Sequence, residues 1–313
     1  MFAILFGIIV GIAYMLGISG LYFYFLIFGI SFLFIIIQYF IGPKIVELSM
    51  KVKYVNENEY PKLHQMVAEL ADKAGLPKKP RVAISELQIP NAFAFGRTRR
   101  DSRVCVTRGI LNLLSEDELK AVLGHEISHI KHRDVAVITL LSVIPMICYM
   151  IYVSFFWGGM RGRRDSGGAI VIGLSALVVY FITNLLVLYG SRIREYYADL
   201  GSTELGNRPH NLATALYKLS LSSAKISKQS LKQTEGMKAF FINDPSQAMY
   251  EVRSLKDIDL DMSGTIDPNE LWVLTNKKVN ISTADKLMET LSTHPNMVKR
   301  IKHLAELYIK PNQ

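Results

Sequence analysis

Cysteine is scarce in this sequence, so few disulfide bonds could form. Cys105 and Cys148 are the two cysteines among 313 residues, and the chain shows neither an internal repeat nor a low-complexity tract. Two separated cysteines do not make a disulfide framework, which excludes a small disulfide-stabilised secreted protein. The composition therefore favours a reducing compartment.

Charged residues are absent from the first 41 positions. Because a membrane-spanning helix needs about 20 apolar residues, this segment predicts two spans that turn at residues 17–20. The segment also lacks the charged start and the small-residue cleavage site of a secretory signal peptide, so we expect a retained anchor. Two later apolar runs, residues 135–157 and 169–189, are each long enough to span a bilayer.

These runs predict four parts of the chain. Membrane hairpins of two spans each cover residues 1–42 and 135–190, and soluble parts cover residues 43–134 and 191–313. The predicted fold class is α+β and mostly helical, in an integral membrane protein with four transmembrane helices and a small β-sheet outside the membrane.

The first soluble part has recognisable local signals. Residues 58–74 have helical periodicity, and a capping box from Ser115 to Glu118 predicts a second helix that ends near His132. Between these helices the sequence predicts strands at residues 81–85, 91–95 and 103–107, with a hairpin loop at 96–101.

Charge suggests the orientation of the chain. Lysine and arginine total 36 against 27 acidic residues, a net charge of +9. Beside long apolar runs, anionic lipid explains this excess better than nucleic acid does. The basic segment 44–134 predicts a cytoplasmic location by the positive-inside rule. One loop conflicts with that rule, because four spans place Arg161, Arg163 and Arg164 outside.

The second predicted helix carries the pattern His125-Glu126-Ile127-Ser128-His129. Two histidines four positions apart share one helical face, so both imidazoles can bind one zinc ion. Glu126 then stands beside the metal, where it can accept a proton from water and later deliver it to a leaving amine. The alternative is a pair of surface histidines on an ordinary helix.

Catalytic zinc requires a third protein ligand. One class of such enzymes uses a histidine six residues after the second, where this chain has Val135. His132 is too close to His129 and is better explained as a side chain that reaches the membrane surface. A two-span hairpin returns Glu195 to the side of His129, so Glu195 can be the third ligand and Asp199 can accept a hydrogen bond from a ligand histidine. A cluster of charges near the membrane is the competing interpretation.

The motif His125–His129, followed after a two-span insertion by Arg194-Glu195-Tyr196-Tyr197-Ala198-Asp199, resembles the HtpX family of membrane metallopeptidases, which is related to the CAAX-prenyl endopeptidases. The resemblance extends over nearly the whole chain and includes residues 90–96 and His294-Pro295. It implies a zincin-type cytoplasmic catalytic domain with zinc ligands His125, His129 and Glu195 and with Glu126 as acid/base. It also implies cleavage of misfolded or damaged membrane proteins in quality control.

Two further segments are candidates for contact with substrate. In similar enzymes an edge strand aligns the substrate backbone, and residues Asn91, Ala92, Phe93 and Ala94 have that position here. An ordinary sheet strand is the alternative. His294, before Pro295, can stabilise the oxyanion of the reaction, unless it is simply a residue at the N-terminus of a helix.

A separate acidic segment, residues 259–270, fits the twelve-residue EF-hand loop. Glycine occupies position 6 and isoleucine position 8. EF-hands usually pair, and one loop is present, so the alternatives are a Ca²⁺ site and an acidic turn. Oxygen ligands would come from Asp259, Asp261, Ser263, Thr265, Asp267 and Glu270.

The sequence thus predicts a zinc metalloendopeptidase of the cell membrane with one catalytic Zn²⁺ and protein or peptide substrates. The lipid bilayer is its other expected partner, and nucleic acid is not expected. Two other functions fit parts of the pattern. One is a prenyl-protein endopeptidase, which usually has more spans, and the other is a calcium-responsive scaffold with a vestigial zinc site.

Overall fold

The computed structural model describes residues 21–159, 166–224, 255, 258–276 and 283–309. The chain divides into two compact units, Met1–Gly42 with Ala136–Leu188 and Pro43–Val135 with Tyr189–Gln313. Over the described ranges it is mostly helical with one small sheet. The first predicted span and the centre of the arginine-rich loop lie outside these ranges.

In chain order the elements are α1 (Leu21–Ser49), β1 (Val52–Tyr54), α2 (Pro61–Lys73), β2 (Arg81–Ser85), β3 (Ala92–Gly96), β4 (Ser102–Thr107), α3 (Arg108–Leu113), α4 (Glu116–His132), α5 (Asp134–Leu141), α6 (Val143–Gly159), α7 (Ser166–Glu204), α8 (Pro209–Ala224), α9 (Pro268–Asn276), α10 (Thr283–Thr290) and α11 (Met297–Ile309).

Two helical stretches of the described chain are long and apolar enough to cross a membrane, Asp134–Phe156 and Gly167–Glu204. Their large side chains are exposed, as at Leu140 (72%), Val171 (63%) and Phe181 (60%). The core helices of soluble proteins bury such side chains. Contact with lipid therefore explains why these apolar surfaces face outward.

The third predicted span is interrupted at Ser142, between α5 and α6. Pro145 causes this break, because proline has no N–H to bond the Leu141 carbonyl and its ring collides with that carbonyl. The fourth predicted span has no such break. It is part of α7, which extends without interruption as far as Glu204.

The sheet has the order β1-β2-β4-β3. Strands β2 and β4 are parallel, whereas β3 and β4 form the predicted antiparallel hairpin. Its loop requires glycine at Gly96, where φ is 140° and a Cβ atom would collide with the Asp101 carbonyl oxygen. The order leaves β3 at one edge of the sheet.

Apolar side chains cover both faces of this sheet. On one face the strands join α2, α4, α8 and α11 in the main core. On the other face Val46, near the end of α1, and Met50, just after it, pack on Ala83, Phe93, Phe95 and Cys105. The sequence patterns did not predict β1 or α3. Both are short, and an edge strand of three residues has no readable alternation.

Candidate metal centre

Helix α4 carries the predicted metal-binding motif. Ser115 Oγ accepts a hydrogen bond from Glu118 N–H, and the Glu118 carboxylate accepts one from Ser115 N–H, which confirms the capping box. The helix ends at His132, and the left-handed backbone of Arg133 (φ 57°) redirects the chain into α5. Its apolar face packs in the main core through Leu119, Val122, Leu123 and Ile127.

The side chains of His125, His129 and Glu195 converge. The two imidazole Nε2 atoms lie 3.1 Å apart, because residues four apart share one face of a helix. Glu195, on α7, has carboxylate oxygens 3.6 Å from Nε2 of His125 and 3.7 Å from Nε2 of His129. Tetrahedral ligands bound at about 2.0–2.1 Å lie roughly 3.3–3.4 Å from each other. The donor set and its spacing therefore fit a zinc ion with three protein ligands.

Each histidine has a carboxylate behind it. Asp199 Oδ1 lies 2.9 Å from Nδ1 of His125, and Asp134 Oδ2 lies 2.6 Å from Nδ1 of His129. An Nδ1–H that donates to a carboxylate leaves the Nε2 lone pair for a metal. Sequence reasoning identified Asp199 and missed Asp134, which is also ion-paired with Arg194.

Arg300 is the second residue that sequence reasoning missed. It lies on α11 and is fully buried. Its Nε and Nη2 donate to the two carboxylate oxygens of Asp199 at 2.9 and 2.6 Å, and its Nη1 lies 3.0 Å from Glu195 Oε2. Burial alone would lower the pKa of this guanidinium, but Asp199 and Glu195 raise it. The sequence feature that could have identified Arg300 is an arginine among the buried positions of an amphipathic helix.

The two glutamates of the site have opposite electrostatic environments. Burial raises the pKa of Glu126 above its usual value, although His129 and His125 oppose this shift. Burial would do the same to Glu195, but His294 and Arg300 hold its pKa well below the usual value. Glu195 is thus kept as a carboxylate, and Glu126 is the more basic of the two.

Edge strand β3 lies beside the motif helix. Ala94 N–H donates to Glu126 Oε2 at 2.7 Å. Residue pairs in an antiparallel ladder alternate in their bonding, and Asn91 O accepts from Thr107 N–H. The main-chain groups of Ala92 and Ala94 consequently point away from β4. The side chains of Asn91 and Phe93 are buried, so within this pair of residues the side chains do not provide an exposed contact for substrate.

His294 also belongs to the centre, with Nδ1 3.4 Å from Glu195 Oε1. It lies three residues before α11, which begins at Met297, and Asn296 Oδ1 accepts from Val298 N–H. His132 is directed elsewhere, with Nδ1 3.2 Å from Ser128 Oγ.

The acidic loop forms a second group, away from the histidines. Carboxylate oxygens of Asp259, Asp261 and Glu270 lie within 4.8 Å of one another. The loop leads directly into α9, whereas most of the segment before it lies outside the described residues. Of its other predicted ligands, Ser263 and Thr265 have hydroxyls 2.8 Å apart, and Asp267 Oδ1 accepts from Glu270 N–H.

Comparison with known proteins identifies the family. Residues 57–308 match Peptidase family M48. A Protease HtpX homolog from Methanothermobacter thermautotrophicus is 56% identical over 222 residues, which is 71% of this chain and 82% of that protein. A Protease HtpX homolog from Thermoplasma volcanium is 35% identical over 305 residues, which is 96% of this chain and 89% of that protein.

The fold has a counterpart among solved structures. The crystal structure of Ste24p from S. mikatae aligns with a TM-score of 0.53 and 17% sequence identity. The alignment covers 90% of this chain and 58% of Ste24p, so the likeness concerns the fold. The protease names of the relatives do not favour a scaffold or a prenyl-protein endopeptidase. The chain belongs to peptidase family M48, among the membrane metalloproteases of the HtpX type.

Proposed function

We propose that this metalloprotease is a zinc endopeptidase that cleaves misfolded or damaged membrane proteins at the cytoplasmic face. The observation that carries the proposal is the convergence of His125, His129 and Glu195, with Glu126 held beside them. Two imidazoles and one carboxylate are the ligand set of several zinc peptidases. A purely structural zinc site would have no use for Glu126.

The chemistry follows from the surroundings of these side chains. Bound by the three ligands, zinc would polarise the scissile carbonyl and lower the pKa of water to near neutrality. Glu126 would take a proton from the attacking water and return it to the leaving amine. Burial favours this role because it raises the pKa of Glu126. The N–H of Ala94 holds one carboxylate oxygen of Glu126 in place.

His294 is proposed to stabilise the oxyanion. Its ring lies at the rim of the three-ligand cluster, 3.4 Å from Glu195, and it is only partly exposed. A neutral or protonated imidazole there can donate a hydrogen bond to an oxygen that gains negative charge.

Substrate is proposed to bind as an added strand along β3. The edge position of β3, the outward-facing main chain of Ala92 and the carbonyl of Ala94 support this proposal. The Ala94 N–H is already bonded to Glu126. Main-chain hydrogen bonds recruit extended peptides with little regard to sequence. Loose sequence preference suits an enzyme that removes damaged proteins.

The proposed membrane arrangement has four spans, with the catalytic unit in the cytoplasm. Its supports are the apolar helices with exposed side chains and the basic character of residues 44–134. Substrates embedded in the same membrane would then reach the site from the bilayer.

The test is to change Glu126→Gln in the full chain purified in detergent. We expect casein hydrolysis to fall by about 10²–10⁴-fold or more, because the general base is lost. Zinc content should stay near that of the unaltered protein, since the ligands remain. Glu116→Gln, an exposed change on the same helix, serves as the control and should keep full activity. Casein hydrolysis retained by Glu126→Gln would overturn the proposal.

A further inference from the structure

The acidic loop at residues 259–270 has a backbone shaped around its first carboxylate. Asp259 accepts hydrogen bonds from the N–H groups of Ser263 and Gly264, each at 2.9 Å. Gly264, at position 6 of the loop, has φ 81°, which glycine adopts without strain. Helix α9 begins at Pro268, position 10, so that Glu270 at position 12 faces back across the loop. Spacing and backbone both match an EF-hand loop.

Two of the converging carboxylates are buried, and their described partners are neutral N–H and O–H groups. Asp259 is 6% exposed and Glu270 is 5% exposed. Across the described ranges no lysine, arginine or histidine forms an ion pair with either of them, nor with Asp261. Buried charges in proteins are normally paired or bound to metal. Among the described residues this negative charge is not balanced, which favours a bound cation.

A lone EF-hand loop lacks the hydrogen-bond partner that the residue at position 8 usually has. That residue usually bonds through its main chain to the matching residue of a second EF-hand. Here Ile266 occupies position 8 and is buried. Ile266 N–H donates to Thr214 Oγ1 at 2.9 Å, and the same hydroxyl donates to Ile266 O at 2.9 Å. Thr214, on α8, therefore takes both bonds that a partner loop would otherwise make.

A second side chain of α8 reaches the loop. The Tyr217 hydroxyl donates to Asp259 Oδ2 at 2.9 Å. Helix α8 packs on the motif helix α4 and on α11, which carries Arg300. The loop thus joins the C-terminal helices to the framework of the metal centre.

We propose that residues 259–270 bind one calcium ion as an unpaired EF-hand loop completed by Thr214. Asp259, Asp261, Ser263, Asp267 and Glu270 would supply side-chain oxygens, and Thr265 its carbonyl. Bound calcium neutralises the buried carboxylates and fixes α9 against α8. The site is independent of the zinc centre, and its test does not require protease activity.

The experiment titrates calcium into the full chain, purified in detergent and dialysed against calcium-free buffer that contains zinc. Calorimetry should give one calcium per chain, and magnesium at the same concentration should not displace it. Glu270→Gln should weaken binding by at least about 10-fold, because position 12 supplies two oxygens. Thr214→Val, which keeps the shape and removes the hydroxyl, should weaken binding as well.

The matched control is Glu306→Gln, an exposed change on α11, which should bind calcium like the unaltered protein. Calcium should raise the unfolding temperature of that control but not of Glu270→Gln. If the variants of the loop do not fold, terbium binding to the unaltered protein is measured instead. Terbium in the loop should luminesce when Tyr217 and Trp272 are excited, and calcium should reduce this luminescence by displacing terbium. Absence of calcium binding at about 10⁻³ M, the weak limit for such loops, would overturn the proposal, as would unchanged affinity in Glu270→Gln.

Discussion

A single guanidinium connects the two carboxylates of α7 that surround the metal centre. Arg300 donates to both oxygens of Asp199 and also faces Glu195. Asp199 in turn orients His125. The planar fork of arginine presents several donors at fixed angles, whereas the lysine ammonium is a compact charge on a flexible stem. Arg300 is therefore a positioning residue, because it acts on the reaction through ligands that it holds.

Arg300→Lys tests this role while keeping the positive charge. We expect zinc to be lost to a chelator about 10–100-fold more readily, as for other changes behind a metal ligand. Casein cleavage by the variant should therefore be slower, and saturating zinc should restore part of the rate. An unfolded protein would not recover activity in this way. Arg100→Lys, on an exposed loop residue, is the control. Equal zinc retention in the two variants would contradict the positioning role.

The individual residues of the site differ in how far the sequence reveals them. The sequence pattern alone predicts His125, Glu126 and His129, because one helix fixes their spacing. Glu195 required an argument about which ends of two spans meet. The role of Arg300 could not be predicted from the sequence. It is 175 positions from His125, and no spacing rule connects residues that only the tertiary fold brings together.

At the scale of elements, the contact between α4 and α7 depends on a glycine. A Cβ atom on Gly201 would collide with Oγ of Ser128 and lie 2.7 Å from its Cβ. Such distances are not tolerated, so the helices would have to move apart. Gly201 lies in the turn after Asp199 on α7, and therefore any separation is transmitted to the metal ligands.

Gly201→Ala should destabilise the protein in spite of better helix propensity. Alanine gains about 0.5–1 kcal/mol in a helix interior, but overpacking costs about 1–3 kcal/mol. We expect a lower unfolding temperature and weaker zinc retention. Ser128→Ala removes the nearest atom and should restore part of both in the double variant. Gly168→Ala, on the same helix with nothing within 4 Å, should be neutral. Unchanged stability in Gly201→Ala would show that the helices adjust freely.

Elements were predictable where the sequence has periodicity or caps. Strand β2 and the ends of α4 agree with the prediction. Valine and isoleucine favour the strand, and a capping box marks the start of the helix. The edge position of β3 was expected only from a family resemblance. Its cause is the parallel pairing of β2 with β4, a long-range choice that local pattern does not encode.

For the whole molecule, charge and apolar length make opposing demands on topology. Even numbers of spans keep both catalytic segments on one side of the membrane, and the metal centre needs both segments. Under the proposed four-span arrangement, the loop at residues 158–168, with three arginines against one aspartate, would lie outside. Each of these arginines opposes the positive-inside tendency. We propose that the requirement of a shared site outweighs this tendency, because His129 and Glu195 would have to reach one ion.

Labelling of single cysteines in intact cells decides between these demands. Cys105 is buried and Cys148 lies in an apolar helix, so the background reaction with an impermeant maleimide should be low. Gly162→Cys should react from outside, whereas Glu57→Cys, exposed in the catalytic unit, should react only after the membrane is opened. The segments that contain Glu57 and Glu195 build one site. Labelling of Glu57→Cys from outside would therefore place the metal centre on the outer side of the membrane.

If Gly162→Cys and Glu57→Cys are both protected from the external reagent, residues 135–190 do not cross the membrane as a hairpin.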